Sequence, residues 1–168
     1  MKFRQFICNI ILETIGIPTE EPILIVLTGG IASGKSSIFK LYFSELPVLD
    51  IDLLTKGNIS KIKSMSIVLQ KQVEQKINNK ESVVYTKTGA CPEKIIKNIQ
   101  LAKNKGMKTA VVFVDTPIEQ ALQNNIDRAS KKDWHLIPEV DVRLTNINAR
   151  KNYKIYKEIT DYNHIIKY

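Results

Sequence analysis

The stretch Gly29-Gly30-Ile31-Ala32-Ser33-Gly34-Lys35-Ser36 constrains this chain more than any other part of it. It fits G-x-x-x-x-G-K-[ST], the pattern of a phosphate-binding loop. Before it stands Ile23-Leu24-Ile25-Val26-Leu27, an apolar, β-branched run that reads as a buried parallel strand. After it, Ser37 to Phe43 reads as a helix. Strand, glycine loop and helix in that order turn a string match into a mechanism. The glycines let the backbone curl so that successive N–H groups converge on a polyphosphate. The helix N-terminus adds its partial positive charge. Lys35 has the reach to meet the β- and γ-phosphates, and the Ser36 hydroxyl is a candidate Mg²⁺ ligand. Nucleotide contacts are expected from Gly29, Gly30, Ile31, Ala32, Ser33, Gly34, Lys35, Ser36 and Ser37.

Leu46 to Asp52 reads as a short second strand with two carboxylates at its end. In an open parallel sheet, ligands bind at the carboxyl ends of the strands. Asp50 and Asp52 are two apart, so in an extended chain they point the same way. A phosphoryl acceptor hydroxyl needs a carboxylate to take its proton and orient its attack. Asp52 is the candidate base, with Asp50 as the alternate base or as an outer-shell Mg²⁺ partner. Residues 60–78 read as a Lys- and Gln-rich helix covering the acceptor side, and Ser82 to Tyr85 as a third strand running into Thr86-Lys87-Thr88-Gly89. The two threonines either touch an acceptor or a metal-bound water, or satisfy backbone groups. Pro92 opens a helix that Gly106 is placed to stop. Ala110 to Asp115 is a fourth buried strand, and Asp115 is either a Walker B-like carboxylate or a polar residue at a strand–helix junction. Thr116-Pro117-Ile118-Glu119 is a capping box for the next helix.

That helix runs to Ala129 and carries Arg128. Ser130 to Pro138 is basic and irregular, the kind of segment that closes over a transferring phosphate. Arg128 is its expected cation, with Lys131 and Lys132 in reserve, and Trp134 either stacks on a base or tucks into the core. Val140 to Ile159 has helical periodicity, with Val140, Leu144, Ile147, Ile155 and Ile159 as the expected buried stripe. Arg143, Arg150, Lys154 and Lys157 share one narrow arc beside it, which is either a backbone-tracking nucleic-acid face or a solvated one. His164 to Tyr168 reads as a fifth strand.

With 168 residues and 43% apolar composition, the chain from residue 23 onward has the size of one domain. A formal net charge of +8 favours an anionic partner without choosing among nucleotide, nucleic acid and anionic surface. Cys8 and Cys91 are far apart and form no C-x-x-C, so free thiols in a reducing, cytoplasmic setting are expected. No apolar run approaches the roughly 20 residues of a spanning helix. Residues 1–22 read as an amphipathic helix, with Phe3, Phe6, Ile7, Ile10 and Ile11 on one face, and a link into the first strand.

Strands alternating with helices, with the phosphate loop after the first, predict a three-layer αβα sandwich on a five-stranded parallel sheet. From Ile23 onward the chain resembles the small P-loop kinases of the polynucleotide kinase and zeta toxin group. GGIASGKSS, VLDID, VVYTKTG, FVDTPIEQAL and the lid-like stretch 128–138 carry the resemblance. It implies ATP and Mg²⁺ as cofactors, Asp52 as the group that activates the acceptor hydroxyl, and Arg128 as a lid arginine. The chain departs from the group at Thr55 and Thr86, where arginine and glutamate are common, and near Asn124 and His135, where further lid arginines are expected. Three functions stay open: transfer of a γ-phosphate to a hydroxyl of a nucleic acid or nucleotide, transfer to another small molecule, and nucleotide binding without transfer.

Overall fold

The computed structural model describes residues 12–13, 16–17, 20–55, 58–130 and 135–168. Five strands form one sheet: β1 (Ile23–Gly29), β2 (Val48–Leu49), β3 (Val83–Thr88), β4 (Lys108–Asp115) and β5 (Tyr162–Lys167). Their order is β2-β3-β1-β4-β5 and every pairing is parallel. The helices are α1 (Lys35–Tyr42), α2 (Ile51–Thr55), α3 (Ile62–Asn78), α4 (Pro92–Asn104), α5 (Ile118–Ala129) and α6 (Glu139–Ile159), with a 3₁₀ turn over Ile59–Lys61.

Side-chain alternation along the central strands splits the core in two. Leu24, Val26, Val83, Tyr85, Val111 and Phe113 face α3, α4 and α6. Ile25, Leu27, Val84, Ala110, Val112 and Val114 face α1, where Leu12 and Ile17 also pack. The three layers expected from the alternating pattern are therefore present. β1 and β4 are buried on both faces, which is why they read as continuous apolar runs rather than alternating ones. β5 is an edge strand and alternates partly buried with exposed residues.

Two expectations are corrected. The second strand stops at Leu49, and Ile51 begins a helix, so Asp50 and Asp52 do not share the face of an extended strand. Asp50 instead caps that helix: its Oδ1 accepts from the amides of Asp52 (2.6 Å) and Leu53 (3.3 Å). The second correction is the phase of α6. Its buried residues are Val142, Asn146, Ala149, Tyr153 and Tyr156. Val140, Leu144, Ile147 and Ile155 are 59%, 51%, 50% and 42% exposed, and Ile159 only borders the core. Aliphatic periodicity misled because α6 crosses the phosphate loop and the end of β3, where small and hydrogen-bonding side chains are needed. Ala149 packs against Gly89, and Tyr156 Oη and Asn152 Nδ2 donate to the Gly89 carbonyl at 3.0 and 2.9 Å.

Most of the expected N-terminal helix, and Lys131, Lys132, Asp133 and Trp134 of the lid-like stretch, lie outside the described residues. Among those described, no helix is long and apolar enough to cross a membrane.

The phase of α6 is testable by stability. Ile147→Lys should change unfolding free energy by no more than about 0.5 kcal/mol. Ala149→Leu, which overpacks a site already touching Gly89, should cost about 1–3 kcal/mol. Urea denaturation of both variants checks the ranking, and the reverse order would restore the aliphatic phase.

Candidate functional site

The phosphate loop lies between β1 and α1, and its peptide carbonyls are held from outside. Asn146 Nδ2 on α6 donates to the Ile31 carbonyl at 3.0 Å. Asn124 Nδ2 on α5 donates to Ala32 O at 2.9 Å, and Thr116 Oγ1 donates to Ser33 O at 2.7 Å. With the carbonyls turned out, the intervening amides are free to turn in, as a cradle for anions requires. Thr145 Oγ1 accepts one of the amides, that of Ile31, at 3.2 Å. Two glycines are set by this packing. A Cβ on Gly30 would fall inside the Asn146 side chain, and Gly34 has φ +88° as the residue preceding α1.

Lys35 closes the loop on itself. Its Nζ donates to the carbonyls of Gly30 (2.6 Å) and Gly29 (3.3 Å) and to Ser33 Oγ (3.3 Å). Burial pushes its pKa down to about 8, partly opposed by the carboxylates of Asp50 and Asp52. The ammonium is thus held by carbonyl dipoles, a weaker set of partners than phosphate oxygens.

Two cavities meet at this lysine. The larger, about 730 Å³, is lined by the loop, by Ser36, Ser37 and Lys40 of α1, by Gln120 and Asn124 of α5, and by Tyr168. The smaller, about 220 Å³, lies toward β3 and is walled by Ile51, Ile62 and Ile137, with Lys87, Thr88 and His135 at its edge. Lys35, Asp50, Asp52 and Arg128 line both.

Asp50 and Asp52 therefore stand on the same side of the sheet as the loop, but they are not equivalent. Asp50 is buried, and besides the two amides it caps it accepts the Thr86 hydroxyl. Thr86 occupies a position where the resembling group often has glutamate, and here its hydroxyl fixes Asp50. Asp52 sits in the first turn of α2, half-exposed, with Oδ2 3.4 Å from Arg128. Burial raises its pKa, the negative charge of Asp50 raises it further, and Arg128 and Lys35 pull it back.

Other expected residues take structural roles. Asp115 accepts from Arg150 Nε at 2.7 Å, and Arg150 also donates to the Thr116 carbonyl at 2.8 Å, so this pair ties the end of β4 to α6 outside both cavities. Arg143 pairs with Glu139 at 2.7 Å and stands 3.9 Å from Glu119. Half of the expected basic arc is therefore committed to ion pairs, while Lys154 and Lys157 are exposed. The His135–Pro138 end of the lid-like stretch is pinned to α5, because Asn125 donates to Ile137 O at 2.8 Å and accepts from its amide at 3.3 Å.

Thr116, read as part of a capping box, makes no side-chain cap, since Pro117 is the N-cap of α5 and the threonine hydroxyl goes to the loop; the other loop anchors Asn124, Thr145 and Asn146 escaped the sequence reading, as did Tyr168 and Lys87. Asn146 had a signal: a polar residue repeating with Val142, Ala149 and Tyr153 at helical spacing marks a buried side chain that needs a partner. Asn124 occupies the place where a lid arginine was expected, and it holds the loop instead.

No protein-family model matches the sequence, and no curated protein does. Among solved structures, the AvrRxo1-ORF1:AvrRxo1-ORF2 complex with sulphate ions is similar at a TM-score of 0.64 and 21% identity, over 90% of this chain and 54% of that one. The same complex with ATP is similar at 0.61. The PezAT toxin–antitoxin system of Streptococcus pneumoniae is similar at 0.64 and 16% identity, over 97% of this chain and 76% of that one. The Pnkp1/Rnl/Hen1 RNA repair complex is similar at 0.64 and 14% identity, over 83% and 48%. The chain thus spans about half the length of the first and last of these. At such identities the likeness speaks for architecture: the five-stranded parallel sheet in the order 2-3-1-4-5, with helices on both faces, is the α/β fold the chain shares with these structures.

Proposed function

We propose that this chain is an ATP- and Mg²⁺-dependent phosphotransferase that moves the γ-phosphate from the larger cavity onto a hydroxyl held in the smaller one. The observation that carries the reading is the meeting of the two cavities at Lys35, Asp50, Asp52 and Arg128. Loop amides and Lys35 take the β- and γ-phosphates, Lys35 exchanging its carbonyl partners for phosphate oxygens. Asp52, with its pKa raised by burial and by Asp50, suits a carboxylate that receives a proton from an acceptor hydroxyl. In the transfer, the bond from the γ-phosphorus to the bridging oxygen breaks and a bond from the acceptor oxygen forms. The hydroxyl proton passes to Asp52 and ADP leaves. Arg128 neutralises charge on the moving group, and Lys132 in the segment that follows is a further candidate for that work. Asp50 holds the start of α2 and so the position of Asp52.

The donors around the loop suit a hard cation. Ser36 offers an exposed hydroxyl lining the larger cavity, and Asp50, its oxygens already accepting three hydrogen bonds, is left for an outer-shell contact. Bound there, Mg²⁺ would neutralise triphosphate charge. The smaller cavity, about 220 Å³, has room for a group the size of a sugar. A nucleic-acid acceptor is a second reading, supported by the net charge of +8 and by exposed Lys151, Lys154 and Lys157 on α6. Nucleotide binding without transfer is a third, supported by the pairing of Arg128 with Asp52.

Labelled γ-phosphate should appear on a small hydroxyl acceptor; labelling of oligonucleotides alone, with binding that weakens steeply in salt, would move the acceptor to nucleic acid. Lys35→Ala should abolish transfer and weaken ATP binding. Asp52→Asn should leave ATP binding near normal while the rate falls about 10²-fold or more. If Asp50→Asn is dead and Asp52→Asn fully active, the base is Asp50. ATP protection against melting with no turnover on any acceptor would leave only the binding module.

ATP affinity should also report Lys35 directly. The anion prefers the ammonium, and in the free protein that ammonium loses its proton near pH 8. Affinity should therefore be flat below pH 8 and fall about tenfold per pH unit above it. Titration calorimetry from pH 7 to pH 9.5 checks this, and Lys35→Met should remove the slope.

A further inference from the structure

Helix α6 has two faces, and the site accounts for only one of them. Its inner face packs on the sheet and holds the phosphate loop through Thr145 and Asn146. On the outer face, Val140, Leu144, Ile147, Lys151 and Ile155 fall within an arc of about 80° at about 100° per residue. All five are exposed. Single exposed aliphatics are ordinary, but four on one arc of one helix make an apolar stripe, and Lys151 adds the aliphatic stem of its side chain. Nothing among the described residues covers the stripe, and Leu12, the first of them, packs on the α1 side of the sheet, away from α6. Charge divides α6 along its length. The N-terminal end carries Glu139 and Asp141, with Glu119 of α5 beside Arg143. The C-terminal end carries Lys151, Lys154 and Lys157, all exposed, against Glu158.

We infer that the outer stripe of α6 is where two copies of this chain pair, antiparallel about a two-fold axis near Ile147. This orientation lays the acidic end of each helix along the basic end of the other, whereas parallel pairing sets lysines against lysines. The register follows from the stripe: Val140 lies opposite Ile155, Leu144 covers the stem of Lys151, and Ile147 meets its own copy at the axis. An anionic lipid surface would accept the lysines but repel Glu139 and Asp141 at the other end of the same stripe. At physiological ionic strength charges more than about 8 Å apart are screened, so the net charge of +8 on each copy does not override the charges at the contact. From Val140 to Ile155 the stripe is about 22 Å long, on a helix about 10 Å wide. That is well short of the roughly 800 Å² per partner of a standard interface, so the pairing is weak, with a Kd of about 10 to 100 µM. The inference does not depend on the phosphotransferase reading.

Sedimentation equilibrium of the full chain in about 0.15 M salt, from about 1 to about 300 µM, tests the pairing. The weight-average mass should climb from that of one chain toward that of two. The double variant Leu144→Glu with Ile147→Glu should stay monomeric throughout, with its melting temperature unchanged because both residues lie in solvent. Cross-linking tests the orientation. In a background of Cys8→Ser and Cys91→Ser, Ile147→Cys should form a disulfide with its own copy. Val140→Cys should link to Ile155→Cys when the two variants are mixed, and neither of these should link to itself. A chain that stays monomeric at every concentration overturns the proposal, as does a dimer that survives the double glutamate variant. Self-linking of Val140→Cys would reveal a parallel pair and overturn the orientation. Binding of a monomeric chain to vesicles rich in phosphatidylserine, lost in the double glutamate variant, would give the stripe to a lipid surface instead.

Discussion

The outward pull on the loop carbonyls is the constraint on which the rest of the site depends. A peptide carbonyl and the next amide point in roughly opposite directions, so a loop cannot present its amides to an anion unless its carbonyls find partners elsewhere. Here Ile31, Ala32 and Ser33 have their carbonyls held by Asn146, Asn124 and Thr116, residues of three different segments. Gly29 and Gly30 give theirs to Lys35. Ala32 is held at φ +57°, a conformation costly for a residue with a Cβ, and the Asn124 bond is made to that residue. Thr116 and Asn146 are buried, whereas Asn124 stands in the wall of the larger cavity. The bonds made by Lys35 lie on the ligand side and have to be exchanged. The loop is thus prearranged in its backbone, and its one flexible cation is also its one occupant-sensitive element.

The same division separates the two carboxylates. Asp50 is saturated by α2 and Thr86, which fixes the first turn of the helix and so the direction of Asp52. Asp52 keeps exposure toward both cavities and a single long contact to Arg128. A carboxylate whose oxygens already accept three hydrogen bonds has little room left to receive an acceptor hydroxyl. A partly desolvated carboxylate beside another negative charge is better able to do so. Removing Asp50 would therefore disturb Asp52 in two opposing ways, loosening its helix and withdrawing the charge that raises its pKa.

Legibility in the sequence followed the range of the interaction. The loop, its strand and its helix were readable because their signals are local: a glycine pattern, a β-branched run, and a lysine and serine at fixed offsets. The two-sided burial of β1 and β4 was readable for the same reason. The second strand was misjudged because Asp50 reads as a strand-end carboxylate unless its capping of the next two amides is recognised, and Asp-x-Asp carries both meanings. α6 was recognised as a helix but turned the wrong way, since Val140, Leu144 and Ile147 outweigh Asn146 and Ala149 on any apolar scale. Helical spacing marks Asn146 as a buried polar residue, but its partner is a carbonyl 115 residues away that no local pattern names. The basic arc was legible only in part, because Arg150 is claimed by Asp115 on β4 while Lys154 and Lys157 are exposed.

The departures from the resembling kinases then acquire a consistent physical sense. Asn124, near where a lid arginine was expected, is a neutral donor aimed at the loop itself, so the backbone gains an anchor and the proposed transfer site has one cation fewer. Thr86 replaces a carboxylate on the acceptor side with a hydroxyl bound to Asp50. Both changes alter charge in the space where transfer is proposed, one removing a positive group and the other a negative one. The second matters more for the acceptor. Thr86 spends its hydroxyl on Asp50, so the carboxylates facing the smaller cavity are those of Asp50 and Asp52.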